Sequence, residues 1–90
     1  MDQNILKKLL KFCEYNEQGI LITNQFYDAR HKVRHKGQYI TLKSLYFLYR
    51  YGHLPHGKLI DDTGEHRIVD CDHLRYERHT KWILNRLLKD

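Results

Sequence analysis

Turn-forming residues cut this chain into short segments, which limits it to a fold assembled from brief helices and brief strands. Asn16 to Gly19, Gly52 to Pro55 and Asp62-Thr63-Gly64 each interrupt a patterned run. Between these breaks the hydrophobic period changes. Ile5, Leu9 and Cys13 repeat every four residues, as do Leu6 and Leu10, with Lys7, Lys8, Lys11 and Glu14 mostly between them. That spacing predicts an amphipathic helix from Asn4 to Tyr15. Ile20 to Phe26 and Gln38 to Leu42 are rich in β-formers and predict strands. Thr41 can cap a helix through Arg50, built on Leu45, Tyr46, Leu48 and Tyr49 and stopped by Gly52 and Pro55. Lys58 to Asp61 and Arg67 to Asp70 read as two strands around the Asp62-Thr63-Gly64 turn. A last helix is expected from about Asp72 to Leu88, with Asp70 or Asp72 as its N-cap. The expected class is α+β in a single domain spanning residues 1–90, since 90 residues suffice for one modest core.

Charge is distributed unevenly. No Asp or Glu occurs between Asp28 and Asp61, an interval holding Arg30, Lys32, Arg34, Lys36, Lys43, Arg50 and Lys58. The net charge is +5, so with these seven cations set aside the remainder balances at −2 (5 − 7). The positive charge thus belongs to the middle of the protein. Such a surface attracts polyanions and speeds their capture, and it argues against an acidic mimic of DNA.

Other classes are excluded by composition. Hydrophobic residues form 41% of the chain, enough for a packed fold and too many for disorder. No apolar run approaches the roughly 20 residues of a membrane helix. Charges break up the apolar residues of the N-terminus, so no signal peptide is expected there. Cys13 and Cys71 lack metal-like spacing and are read as reduced, partly buried thiols of a cytoplasmic protein. His53-x-x-His56 straddles Pro55 with no second ligand pair at usable spacing, so no zinc site is expected.

Five short motifs occur in order. They are Tyr15-Asn16-Glu17-Gln18-Gly19-Ile20-Leu21, Gly37-Gln38-Tyr39-Ile40-Thr41-Leu42, the aromatic run from Leu45 to Pro55, Leu59-Ile60-Asp61-Asp62-Thr63-Gly64, and His73-Leu74-Arg75. Together, from about Leu9 to Trp82, they resemble the HNH endonucleases of phage genomes. The resemblance implies a ββα-metal fold in the C-terminal half, with N-terminal additions, and a bacterial host cell as the compartment. The departures are informative. Where the family has His-Arg at the start of the aromatic helix, Lys43-Ser44 stands here. Where it has Asp-His on the first strand, this chain has Asp61-Asp62. Where its helix begins Asn-Leu-Arg, this chain has His73-Leu74-Arg75. An ordinary Asp is a weak general base at neutral pH, so the resemblance implies a disabled endonuclease without assigned catalytic residues. No cofactor is expected; a residual divalent metal on Asp61 and His73 stays open, since imidazole suits the softer ions.

Two basic constellations are candidate contact surfaces. If Arg30 to Lys36 is extended, Arg30, Lys32, Arg34 and Lys36 project to one side. On the last helix Arg75, Arg78, Arg86 and Lys89 fall within one sector that also holds Trp82, apart from an apolar face of Tyr76, Ile83, Leu84 and Leu87. Three readings remain open: a binding module on nucleic acid, chiefly duplex DNA; an accessory protein that binds and inhibits a host protein; and an active metal-dependent nicking endonuclease with an unusual site. None involves a membrane, and fold alone does not choose among them.

Overall fold

Leu9, Leu21, Leu42 and Leu45 are all fully buried, and the elements that carry them converge on one core. The computed structural model describes residues 3–64 and 66–78. Helix α1 spans Gln3–Leu9, followed by a hairpin of β1 (Cys13–Tyr15) and β2 (Leu21–Thr23). A second hairpin joins β3 (Lys32–His35) to β4 (Gln38–Thr41) and leads directly into α2 (Leu42–Tyr51). Strand β5 (Gly57–Ile60) pairs antiparallel with β6 (Arg75–Arg78), and a 3-10 turn at Cys71–His73 precedes β6. The class is α+β, as expected. Ile5, Leu9, Cys13, Leu21, Ala29, Val33, Leu42, Leu45, Tyr46 and Val69 make the buried cluster, with α1 packed on α2. Among the described residues no helix is long and apolar enough to cross a membrane.

The first predicted helix is too long. Beyond Leu9 the chain tightens through short-range bonds from Lys11 N–H to Lys8 O and from Phe12 N–H to Leu9 O, then extends as β1. The four-residue spacing misled because Cys13 is buried either as the next helical position or as the first inward residue of a strand. Asn16 closes the β1–β2 turn, its side-chain oxygen accepting from the N–H groups of Gln18 and Ile20, both at 2.9 Å. The predicted strand at Ile20 to Phe26 is shortened to Leu21–Thr23.

Helix α2 begins where expected and runs one residue past Arg50, to Tyr51, with both ends capped by the residues that predicted them. Thr41 Oγ1 accepts from Ser44 N–H at 3.2 Å, and Gly52 N–H reaches Leu48 O at 2.8 Å. Gly52 sits at φ +79°, where a side chain would be strained.

The C-terminal third departs from the ββα expectation. Arg67 to Asp70 does not pair with Lys58–Ile60. It lies along the free edge of β2, with Thr23 N–H to Arg67 O at 2.8 Å and Val69 N–H to Leu21 O at 3.1 Å. Ile68 and Val69 are adjacent and both buried, and this position meets that need. The edge of β5 is then taken by Arg75–Arg78, residues predicted as helix, in the register Leu59↔Tyr76 and Ile60↔Arg75. Asp70 does act as a cap, accepting from Asp72 N–H at 3.0 Å, but it caps only the 3-10 turn. The rest of the expected helix, residues 79–88, lies outside the described residues.

Leu45→Ala should therefore lower stability by about 2–5 kcal/mol, through lost burial and a residual cavity. Tyr39→Ala, on an exposed strand position, should change it by no more than about 0.5 kcal/mol. Urea denaturation of both variants beside the wild type measures the contrast.

Candidate functional site

The β3–β4 hairpin sorts its residues by face. Lys36-Gly37 forms its two-residue turn, with φ of 50° and 80°. Turns of this hand match the twist of the flanking strands, and glycine is the residue that enters them without strain. In the resulting register Val33 faces Ile40 on the inner side, Val33 buried and Ile40 packed against the core. Arg34 faces Tyr39 and Lys32 faces Thr41 on the other side. Lys32 and Arg34 are exposed, and Tyr39 stands 68% exposed among them. No ion pair among the described residues involves Lys32, Arg34 or Lys36. The expectation of four cations on one side holds for Lys32 and Arg34. Lys36 occupies the turn, and Arg30 precedes the strand and turns toward a cleft.

That cleft, about 350 Å³, opens between the start of α2 and β5. Arg30, Lys43, Ser44, Lys58, Asp61 and His66 line it. Lys43 Nζ donates to Leu59 O at 2.5 Å, tying α2 to β5. Burial, reinforced by Arg30, lowers the Lys43 pKa, while the charges of Asp28 and Asp61 act more weakly in the opposite sense. Asp61 closes its own loop. Its Oδ1 accepts from Thr63 N–H at 2.9 Å and from Thr63 Oγ1–H at 2.6 Å, and its Oδ2 accepts from His66 N–H at 2.8 Å. Partial burial works against ionisation of Asp61, but these hydrogen bonds outweigh it and hold the carboxyl below its ordinary value.

His73 Nδ1 lies 3.6 Å from Asp70 Oδ2. Among the described residues, no group of three or more potential metal ligands includes Asp61 or His73. Such a group does occur at Asp70, Cys71 and Asp72, within 4.8 Å of one another. Two of its members have other partners: Asp70 caps the 3-10 turn, and Asp72 pairs with Arg50 at 2.8 Å. Burial, with Asp72 and Asp70 adding to it, pushes the Cys71 thiol up to about 11. Burial alone pushes Cys13 up to about 12, so both are protonated at neutral pH.

The second predicted constellation changes character. Arg75 lies on a strand, held by Asp62 at 3.1 Å and Glu77 at 2.9 Å. Two carboxylates more than match its charge. Arg78 is on the same strand, paired with Gly57. Trp82 and Arg86 lie outside the described residues.

No protein family, curated protein or solved structure matches the chain. The arrangement of the site therefore stands on its own geometry.

Sequence reasoning passed over Tyr39 and His66. The Lys36-Gly37 pair was a usable turn signal for Tyr39, since it sets the register that turns Tyr39 outward beside Arg34. His66 had no local signal. It reaches the cleft because its N–H bonds Asp61 and its carbonyl accepts from Ala29 N–H at 2.8 Å.

The depressed pKa of Asp61 gives a sign for pH dependence. A carboxyl lowered in the folded state contributes stability that is complete above its unfolded value, about 4, and is lost as pH falls through the folded value. Asp61→Asn, which cannot accept from both Thr63 and His66, should be less stable than wild type at pH 7. The difference should shrink steadily below about pH 4, as read by denaturant unfolding across that range.

Proposed function

We propose that this chain is a degenerate HNH-like protein, phage-type and acting in the bacterial cytoplasm, that binds nucleic acid, chiefly duplex DNA, and cuts it little or not at all. The observation that carries binding is the outer face of the β3–β4 hairpin. It sets Lys32 and Arg34 around an exposed Tyr39, with no carboxylate partner among the described residues. Unmatched cations displace condensed counterions when they meet phosphates, and an aromatic ring among them offers a stacking surface. By contrast, Arg75 is already neutralised and contributes less.

Support for the HNH-like reading comes from Lys43-Ser44 and Asp61, which line one cleft although 16 residues lie between Ser44 and Asp61 in sequence. The β6 pairing argues for a scaffold altered from the expected ββα arrangement. Weak cleavage follows from the engaged carboxylates: Asp61 accepts three hydrogen bonds and Asp62 is paired with Arg75. Neither is poised to take a proton from water.

The host-protein reading is favoured by a different surface. Phe47 lies 4.7 Å from the Tyr51 ring, 5.8 Å from Tyr76 and 5.6 Å from His53, centroid to centroid. Tyr51 and Tyr76 are both exposed, and exposed aromatics are favoured anchors at protein interfaces.

Binding to duplex DNA should weaken steeply with salt, with a log–log slope of about −0.9 per phosphate contact. Replacing Lys32 and Arg34 with Ser should flatten that slope by about 1.8 and weaken all sequences alike, because phosphate contacts position without specifying. Arg75→Ala should leave the slope nearly unchanged. Fluorescence anisotropy over a salt series reads these effects, and no binding at low salt would leave the host-protein reading in first place.

With Mg²⁺ or Mn²⁺, a supercoiled-plasmid assay should show little nicking, since a positioned base typically contributes about 10²–10⁴-fold in rate. Strong nicking abolished by Asp61→Ala or His73→Ala would instead establish the endonuclease.

A further inference from the structure

The cleft beside α2 carries charge that the hairpin face does not use. Arg30 is fixed there by its neighbours' carbonyls. Leu42 N–H bonds His31 O at 3.0 Å and Lys43 N–H bonds Ala29 O at 3.2 Å, so the backbone on both sides of Arg30 is pinned to the first turn of α2. Lys43 is half-buried, and its ammonium spends one proton on Leu59 O, leaving two to donate. Ser44 Oγ accepts from Thr41 Oγ1–H at 2.8 Å, which frees its own hydroxyl proton for another acceptor.

The acidic groups nearby do not neutralise these cations by contact. Asp61 is committed to Thr63 and His66, and Asp28 Oδ1 accepts from Arg30 N–H in its own turn. Among the described residues neither Arg30 nor Lys43 forms an ion pair. Two like charges held together on the wall of a concave site repel, and an anion between them relieves the repulsion while gaining charge-assisted hydrogen bonds. A tetrahedral, multiply charged oxyanion matches a fork donor, an ammonium and a hydroxyl converging from two sides.

We propose that the cleft between the start of α2 and β5 is a phosphate-binding site, with Arg30, Lys43 and Ser44 as its donors. The site is carried by the cleft's own geometry, independently of the hairpin face. Its phosphate arrives either as free phosphate or as part of a nucleic-acid backbone.

The test is a titration of the ¹⁵N-labelled full chain with inorganic phosphate, against chloride at matched ionic strength, and separately with a short duplex DNA. Phosphate should shift the amides of Lys43, Ser44 and His66 in a saturable way. Arg30→Gln, at an exposed position, should weaken that binding at least tenfold and leave distant amides in place. Lys43→Met should act alike, but it also removes the Leu59 bond, so Arg30→Gln is the decisive variant. Absence of saturable shifts at the cleft, or shifts undiminished in Arg30→Gln, overturns the proposal. Cleft shifts with both phosphate and DNA, each reduced in Arg30→Gln, support it with the backbone as the source. Cleft shifts with phosphate but no DNA binding support it with free phosphate as the source, and the nucleic-acid reading then falls by itself. DNA shifts confined to the hairpin, with no response to phosphate, remove the cleft site and leave that reading standing.

Discussion

Strand β2 is the interaction on which the rest of the structure depends. It is only Leu21–Thr23, yet both of its edges are used. One edge pairs with β1, and the other receives Arg67 to Val69, more than forty residues later in the chain. Arg67 strengthens that second contact with its side chain, whose Nε and Nη2 both donate to Thr23 O, at 3.1 and 2.6 Å. Thr23 is fully buried and answers for its own hydroxyl by donating to Tyr27 O at 2.7 Å. A three-residue strand bonded along both edges holds the N-terminal hairpin, the 24–31 loop and the C-terminal third together.

From that contact the geometry of the functional surfaces follows. Once Ile68 and Val69 are drawn to β2, the chain must reverse after Asp70, and the cap and 3-10 turn at Cys71–His73 accomplish this. Residues 75–78 then fall beside β5, and Arg75 comes within reach of Asp62. One cation of the predicted helical stripe is thereby neutralised. The loop from Asp61 to His66 is left facing the start of α2, where His66 O also holds Ala29 N–H. The cleft beside α2 is a product of this arrangement, because its walls come from four separate stretches of chain.

The two basic surfaces differ physically. On the hairpin, cations are separated by strand alternation, solvated, and spaced along an open face that suits an extended polyanion. In the cleft, Arg30 and Lys43 are held at close quarters, and Lys43 is partly withdrawn from water. Exposed charges cost little to keep unpaired, because water and salt screen them. A half-buried ammonium is another matter, and the lowered pKa of Lys43 reflects that burial first and Arg30 second.

What the sequence determined by itself was local. Thr41 and Gly52 bound α2 because their side chain and φ freedom act on neighbouring backbone. Asn16 marked its turn for the same reason, and the absence of acidic residues between Asp28 and Asp61 located the positive charge before any fold was known. The α+β class followed from such signals. What only the tertiary structure decided was pairing. Arg67 to Asp70 has the residues of a strand, but nothing local says whether its partner is β5 or β2. Arg75 to Arg78 has helical spacing, yet an open strand edge and the Phe47–Tyr76 stack draw it into a sheet. Cys13 fits a buried position in either a helix or a strand. In each case the competing states satisfy the local pattern equally, and the choice is made by which distant edge or apolar surface is left uncovered. The candidate site divides the same way: Lys32 and Arg34 were legible from alternation, while the meeting of Arg30, Lys43 and His66 required the folded chain.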